Sequence, residues 1–287
     1  TLELSSAASD VYKRQPLNPE EFKKILEEDK QKEIKAVILT HSETSTGVIN
    51  DLETISSYIR DHKTALSIVD CVTSLGACNV PVDKWQLDIV ASGSQKGYMI
   101  PPGLSFISVS QKAWEAAEKS NLPKFYLNLK SYRKSLSSNS NPYTPAVNLV
   151  FALDESLKMM REEGLDNIFL RHDKHKLAMS NAVKALNLKL FADERYLSPA
   201  VTAIQTGEID AEEFRKTIKN KFDILLAGGQ DHLKGKIFRV GHLGYVNNRD
   251  IITVVSAISK TLLDQGKITT KQAGEALEVA CTYLEAN

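Results

Sequence analysis

Lys96 lies in the run Ser92-Gly93-Ser94-Gln95-Lys96-Gly97, just after a short apolar stretch, Leu87 to Ala91. Pro101-Pro102-Gly103 then separates it from a second apolar stretch, Leu104 to Val109. Small residues and prolines between two apolar runs read as a tight loop between two strands. An amine held in such a loop, partly out of water, gives up its proton more readily and can attack a carbonyl. That is what a Schiff-base lysine requires. Taken alone, the same residue reads first as a solvated loop lysine.

Two further strand ends bear on the choice. The stretch Ala36 to Thr40 runs into His41-Ser42-Glu43-Thr44-Ser45-Thr46-Gly47, and the stretch Ala65 to Val69 ends in Asp70. Open α/β sheets bind ligands at the carboxyl ends of their strands, so a hydroxyl-rich loop, a carboxylate and a lysine would meet in one crevice. Singly, Asp70 could cap the chain that follows and the Ser/Thr loop could be a plain turn. Together they suit pyridoxal phosphate, which needs a lysine as covalent anchor and a carboxylate to keep its pyridine nitrogen protonated. No GxGxxG follows a strand and no GxxxxGK[ST] occurs, so neither a nicotinamide nor a P-loop reading has support. No HExxH or His/Cys cluster points to a metal.

The elements that must position these groups follow from periodicity. A helix is predicted over Pro16 to Glu28, with Asn18 as N-cap and Pro19 in the first turn. A second spans Asp51 to His62, with Leu52, Ile55 and Ile59 on one face. Helices alternating with short apolar strands predict an α/β fold with a mainly parallel sheet sandwiched by helices. Gln111 to Asn141 reads as irregular, aromatic and basic. Pro145 to Glu163 predicts a helix whose stripe is Val147, Val150, Phe151, Leu153, Leu157 and Met160, ended by Gly164. The remainder alternates helices with strands near Leu188–Phe191, Val201–Gln205, Ile224–Ala227 and Lys236–Val240. It reads as a smaller α+β domain, which divides the chain at 16–163 and 164–287.

Composition sets outer limits. The 287 residues are 42% hydrophobic and 25% charged, with 36 basic and 36 acidic side chains. A net charge of zero gives no footprint for nucleic acid or an anionic membrane, and no apolar run approaches a transmembrane span. Three cysteines, Cys71, Cys78 and Cys281, fit a reducing compartment, and the expected location is cytoplasmic.

The segments HSETSTGVIND, LSIVDCVTSLG, DIVASGSQKGYMIPPG, NPYTPAVNLVFALDESL and GKIFRVGHLG resemble, in order, the signatures of class V aminotransferases, fold-type I pyridoxal-phosphate enzymes. The alanine–glyoxylate and serine–glyoxylate group is the nearest in pattern. The resemblance spans roughly Pro16 to Leu263 and implies transamination between alanine or serine and glyoxylate or another small 2-oxo acid. It implies Lys96 as the Schiff-base lysine and Asp70 at the pyridine nitrogen. Thr44 falls beside the phenolic oxygen, and Gln95 at the phosphate. Thr144 reaches the phosphate of a neighbouring subunit in a homodimer. Asn141 stands where relatives often carry an aromatic. Arg239 would clamp the substrate carboxylate through its planar fork; outside the family it reads as a structural ion-pair residue. His41 and His242 lie nearby and are assigned no catalytic role. Two other readings share the fold: cysteine desulfuration, whose enzymes place a histidine before the lysine where this chain has Gln95, and a non-catalytic subunit of the hydrogenase-associated kind.

Thr1 to Gln15 has no apolar periodicity and resembles a translated sequencing-adapter scar. The expectation is a non-native or disordered segment, with the protein's own N-terminal part upstream. In the family that part carries the glycine- and serine-rich phosphate loop. This chain is therefore expected to hold the cofactor weakly, as titration with pyridoxal phosphate would measure.

Overall fold

Asn18 accepts a hydrogen bond from the Glu20 amide at 3.1 Å and starts helix α1 (Pro19–Glu28), which buries Phe22 and Leu26. The computed structural model describes residues 15–285, so the expectation for Thr1 to Gln15 falls, apart from Gln15, outside the described residues. Strand β1 (Ala36–Thr40) leads into a short hairpin, β2 (Ser42–Glu43) and β3 (Val48–Ile49). Asp51 then caps α2 (Leu52–His62) by accepting from the Thr54 amide. Strand β4 (Leu66–Asp70), the one-turn helix α3 (Val82–Trp85), β5 (Ile89–Gly93) and β6 (Ser105–Val109) follow.

These strands form one sheet in the order β1-β4-β5-β6. The first three are parallel, and β6 returns antiparallel on the edge. Thr40, Asp70 and Ala91 share one register row, which brings the carboxyl ends of β1, β4 and β5 level. The period-two pattern is visible in burial: Val37, Leu39, Val69 and Val90 pack under α1 and α2 with Leu52, Ile55 and Ile59. The opposite face is more open, with Ile38 and Ile107 about half exposed and Asp70 exposed. The catalytic candidates stand at the end of that open face.

The stretch from Gln111 to Asn141 is not irregular throughout. Ser110 caps α4 (Gln111–Glu118) and Asn128 caps α5 (Leu129–Leu136). Helix α6 (Val147–Glu163) forms as expected, but only the Met160 end of its predicted stripe is buried. Val147, Val150 and Phe151 are exposed, and the helix buries only Ser156 and Met160. Gly164, at φ +84°, breaks the chain between α6 and α7 (Leu165–Ala185).

A second sheet, order β7-β8-β10-β9, is antiparallel and built from β7 (Lys189–Leu190), β8 (Val201–Gln205), β9 (Ala227–Gly228) and β10 (Ile237–Gly241). It packs against α7, α8 (Ala211–Phe222), α9 (Asn248–Asp264) and α10 (Thr270–Glu285). The core there includes Met179, Leu186, Ile204, Phe214, Phe238, Ile258 and Leu262, with the Phe214 and Phe238 rings 5.3 Å apart. No helix among the described residues is long and apolar enough to cross a membrane.

Candidate active site

The loop carrying Lys96 is closed by Ser94. The Ser94 amide donates to the Leu104 carbonyl at 3.0 Å. Its hydroxyl donates to the Pro101 carbonyl at 2.8 Å and accepts from the Leu104 amide at 3.2 Å. The Lys96 carbonyl accepts from the Met99 amide at 3.0 Å, with Met99 in the left-handed region at φ +62°. Gly97 is required by contact: a Cβ there would stand 2.3 Å from the Leu75 carbonyl oxygen. Lys96 is half-buried, and among the described residues its amine makes no hydrogen bond or ion pair. Gln95 is exposed, its side-chain oxygen folded back over Gly93.

Asp70 ends β4 on the open face. One carboxylate oxygen accepts from the Val72 amide at 2.8 Å, while the residue's carbonyl accepts from the His41 amide at 2.9 Å. The loop that Asp70 starts carries Leu75 and Gly76 into contact with Gly97, so the ends of β4 and β5 are pressed together.

Arg239, half-buried on β10, ties the second sheet to the β2–β3 hairpin. Its Nε donates to the Gly228 carbonyl and its Nη1 to the Thr44 carbonyl, each at 2.8 Å. Nη2 makes no bond among the described residues, leaving part of the fork for a ligand. Burial pulls the guanidinium below its ordinary pKa, opposed by the Glu43 carboxylate and reinforced by Arg215. Thr44 lies in the turn of the β2–β3 hairpin, which is also tied to the segment leading into β8. Ser42 and Ser198 hydroxyls meet at 2.8 Å, and Gly47, at φ +74°, lies against the Ala203 backbone. Gly244, just beyond β10, lies against the Lys96 carbonyl: a Cβ on it would be 3.3 Å away. Thr44, Asp70, Lys96 and Arg239 thus come from four segments linked by direct contact.

Thr144 and Asn141 are not drawn into this cluster. Both are exposed, on a segment whose Tyr143 packs among Phe125, Tyr126 and Tyr132 and donates to the Phe125 carbonyl at 2.9 Å. His41 and His242 are buried, and burial lowers their pKa values to about 4 and about 3. His242 pairs with the Thr202 hydroxyl at 2.9 Å, and the His41 ring stands edge-on to Trp85. Burial pushes the Cys71 thiol up to about 11 and Cys78 up to about 12, so neither is a thiolate at neutral pH. A cavity of about 300 Å³ opens beside the β2–β3 turn, between Thr40, Glu43, Ser45 and residues 230–233. Sequence reasoning missed Ser94, although a serine two residues before Lys96 and facing a Pro-Pro-Gly turn was a usable signal. It also missed Arg171 and His172, which hold Gly244 from α7.

The aminotransferase class-V family model matches residues 9–231, and the chain belongs to that family. Among curated proteins, the soluble hydrogenase 42 kDa subunit of Anabaena cylindrica is 58% identical over 252 residues, 88% of this chain and 66% of that protein. The serine–glyoxylate aminotransferase of Methylorubrum extorquens is 36% identical over 278 residues, 94% of this chain and 68% of that protein. The crystal structure of the ureidoglycine–glyoxylate aminotransferase of Bacillus subtilis superposes with a TM-score of 0.86 at 32% identity, covering 95% of this chain and 70% of that one. The chain spans about two thirds of the length of these relatives.

Proposed function

We propose that this chain supplies the covalent anchor and substrate clamp of a pyridoxal-phosphate-dependent transaminase acting between a small amino acid, alanine or serine, and glyoxylate. The observation that carries the reading is that Lys96 and Asp70, at the carboxyl ends of parallel strands, lie on segments in direct contact with those of Thr44 in the β2–β3 turn and Arg239 on β10. The residues fit the cofactor. Lys96 has an unpaired amine, Asp70 an exposed carboxylate with an unspent oxygen, and Gly97 and Gly76 let the two loops that carry them pack backbone to backbone. Bound pyridoxal phosphate supplies an aldehyde and an electron-withdrawing ring. Asp70 holds the proton on the ring nitrogen, because a carboxylate beside it favours the charged form. Lys96 would anchor the aldehyde, and its amine is the base that would move the proton at the substrate α carbon. Thr44 would hydrogen-bond the phenolic oxygen and Gln95 the phosphate. Arg239 takes the substrate carboxylate on the edge of its fork that includes Nη2.

Glyoxylate is favoured because the named activities of the serine–glyoxylate and ureidoglycine–glyoxylate relatives share it. A homodimer is part of the same reading. Thr144 and Asn141 are exposed beside an apolar surface of Phe125, Tyr126, Leu127, Val147, Val150 and Phe151, and would serve the partner's site from there. Sedimentation velocity on the protein would return a dimer; a monomer at micromolar concentration would remove Thr144 and Asn141 from the site.

Two relatives bear the name of a soluble hydrogenase subunit, which keeps an accessory role as the second reading. One substitution separates the two. Lys96→Ala abolishes transamination on the first reading and leaves an accessory role intact on the second. Borohydride reduction in the presence of pyridoxal phosphate, followed by peptide mapping, should place the label on Lys96. Label elsewhere, or full turnover by Lys96→Ala, would overturn the assignment.

A further inference from the structure

Two consecutive residues of α7, Arg171 and His172, grip the backbone of the loop that joins β10 to α9. All three nitrogens of Arg171 are engaged: Nε and Nη2 hold both oxygens of Glu163 at 2.6 and 3.0 Å, and Nη1 donates to the carbonyls of Gly244 and Val246 at 2.9 Å each. His172 has no exposed surface. Its Nδ1 donates to the Ile168 carbonyl at 2.7 Å, and its Nε2 accepts from the Gly244 amide at 3.1 Å. The pair therefore holds both the N–H and the C=O of Gly244. That residue sits at φ +78° against the Lys96 carbonyl and Met99, five residues beyond Arg239.

We propose that the Arg171–His172 pair is a positioning device that sets the spacing between the substrate clamp, Arg239, and the anchor, Lys96. The inference rests on the reading that Lys96 holds the cofactor and Arg239 the substrate carboxylate. Those two groups lie on different sheets, and a substrate must reach both at once. A shift of the 241–247 loop moves one relative to the other, and misplacement of about 1 Å can cost a large factor in turnover efficiency. His172 suits the task because its ring is committed as an acceptor toward Gly244. Burial, reinforced by Arg171 and His175 and opposed by the Ile168 carbonyl and Glu163, lowers its pKa to about 4, so it stays neutral at working pH.

The test uses two readouts. Hydrogen–deuterium exchange is followed on residues 241–247 without added cofactor, and steady-state constants are measured on the holoenzyme with serine or alanine and glyoxylate. His172→Leu removes the acceptor: exchange at Gly244 should quicken about tenfold and KM for the amino acid should rise about five- to tenfold, with kcat changed less. His172→Gln, whose amide oxygen can accept the same N–H, should restore both. Unchanged exchange and KM in His172→Leu overturn the inference. So does faster exchange with an unmoved KM, which reduces the pair to a structural tie, and so does failure of His172→Gln to rescue. If His172→Leu does not fold, Arg171→Lys is measured instead. It keeps the charge but loses the fork, and an unchanged KM there also overturns the proposal. Borohydride labelling that misses Lys96 sinks the proposed function itself, whereas labelled Lys96 beside an indifferent His172→Leu sinks only the positioning role.

Discussion

Arg239 shows how much a single side chain can be asked to do. Three groups share its guanidinium: the Gly228 carbonyl, the Thr44 carbonyl and, on the proposed function, the substrate carboxylate. Lysine keeps the charge but cannot reproduce a planar fork with five donors, so Arg239→Lys should be far from conservative. KM for the amino acid should rise by more than about tenfold, kcat less, and the loss should persist at high substrate analogue size because the carboxylate is common to all donors. A variant with wild-type KM would remove Arg239 from the clamp. The residue was legible in the sequence only through the GKIFRVGHLG signature. Its bond to Thr44 crosses 195 positions, and no local pattern reports such a contact.

At the scale of elements, the Lys96 loop was readable because its determinants are local: a small-residue run, two prolines and a glycine between apolar strands. Its rigidity was not readable, because the wall that demands glycine at position 97 is the Leu75 carbonyl of another strand's loop. Gly97→Ala should force that contact open, costing about 1–3 kcal/mol of stability by overpacking. It should also slow borohydride labelling of Lys96; a fully stable, normally labelled variant would mean the two loops are not packed as described. Helices α4 and α5 escaped sequence reading for a physical reason. They are only eight residues each and capped by Ser110 and Asn128, so the apolar period, Leu129, Tyr132 and Leu136 in α5, runs for just two turns and is too short to stand out from the surrounding aromatic and basic residues. Helix α6 is the converse case. Its period is real, but the face it marks is exposed over Val147, Val150 and Phe151, because periodicity predicts that a face is apolar and not which body covers it.

The molecule as a whole carries a cost in its buried imidazoles. His41, His172 and His242 are at most 4% exposed, with pKa values lowered by burial to about 4, about 4 and about 3, and His175 is lowered as well. Those of His41, His172 and His242 lie far below the ordinary value of 6.5 that applies once the chain unfolds. Between those limits the unfolded chain binds protons that the folded one refuses, so stability must fall as pH drops from about 6.5 toward about 4 and be level from there up to about pH 8. The slope can reach about 1.4 kcal/mol per pH unit for each histidine. The carboxylates do not blur this window, since Asp29, Asp193 and Asp264 are lowered from 3.8 and lose their contribution only below it. Urea midpoints measured from pH 8 to pH 4.5 should be flat at first and then decline steeply. His242→Asn, which can keep a hydrogen bond to Thr202 but does not titrate, should flatten the decline by close to one proton's worth. A midpoint that stays constant down to pH 4.5 would show that these imidazoles are not held neutral in the fold. The tautomer that lets His172 accept from Gly244 would then have lost its physical basis.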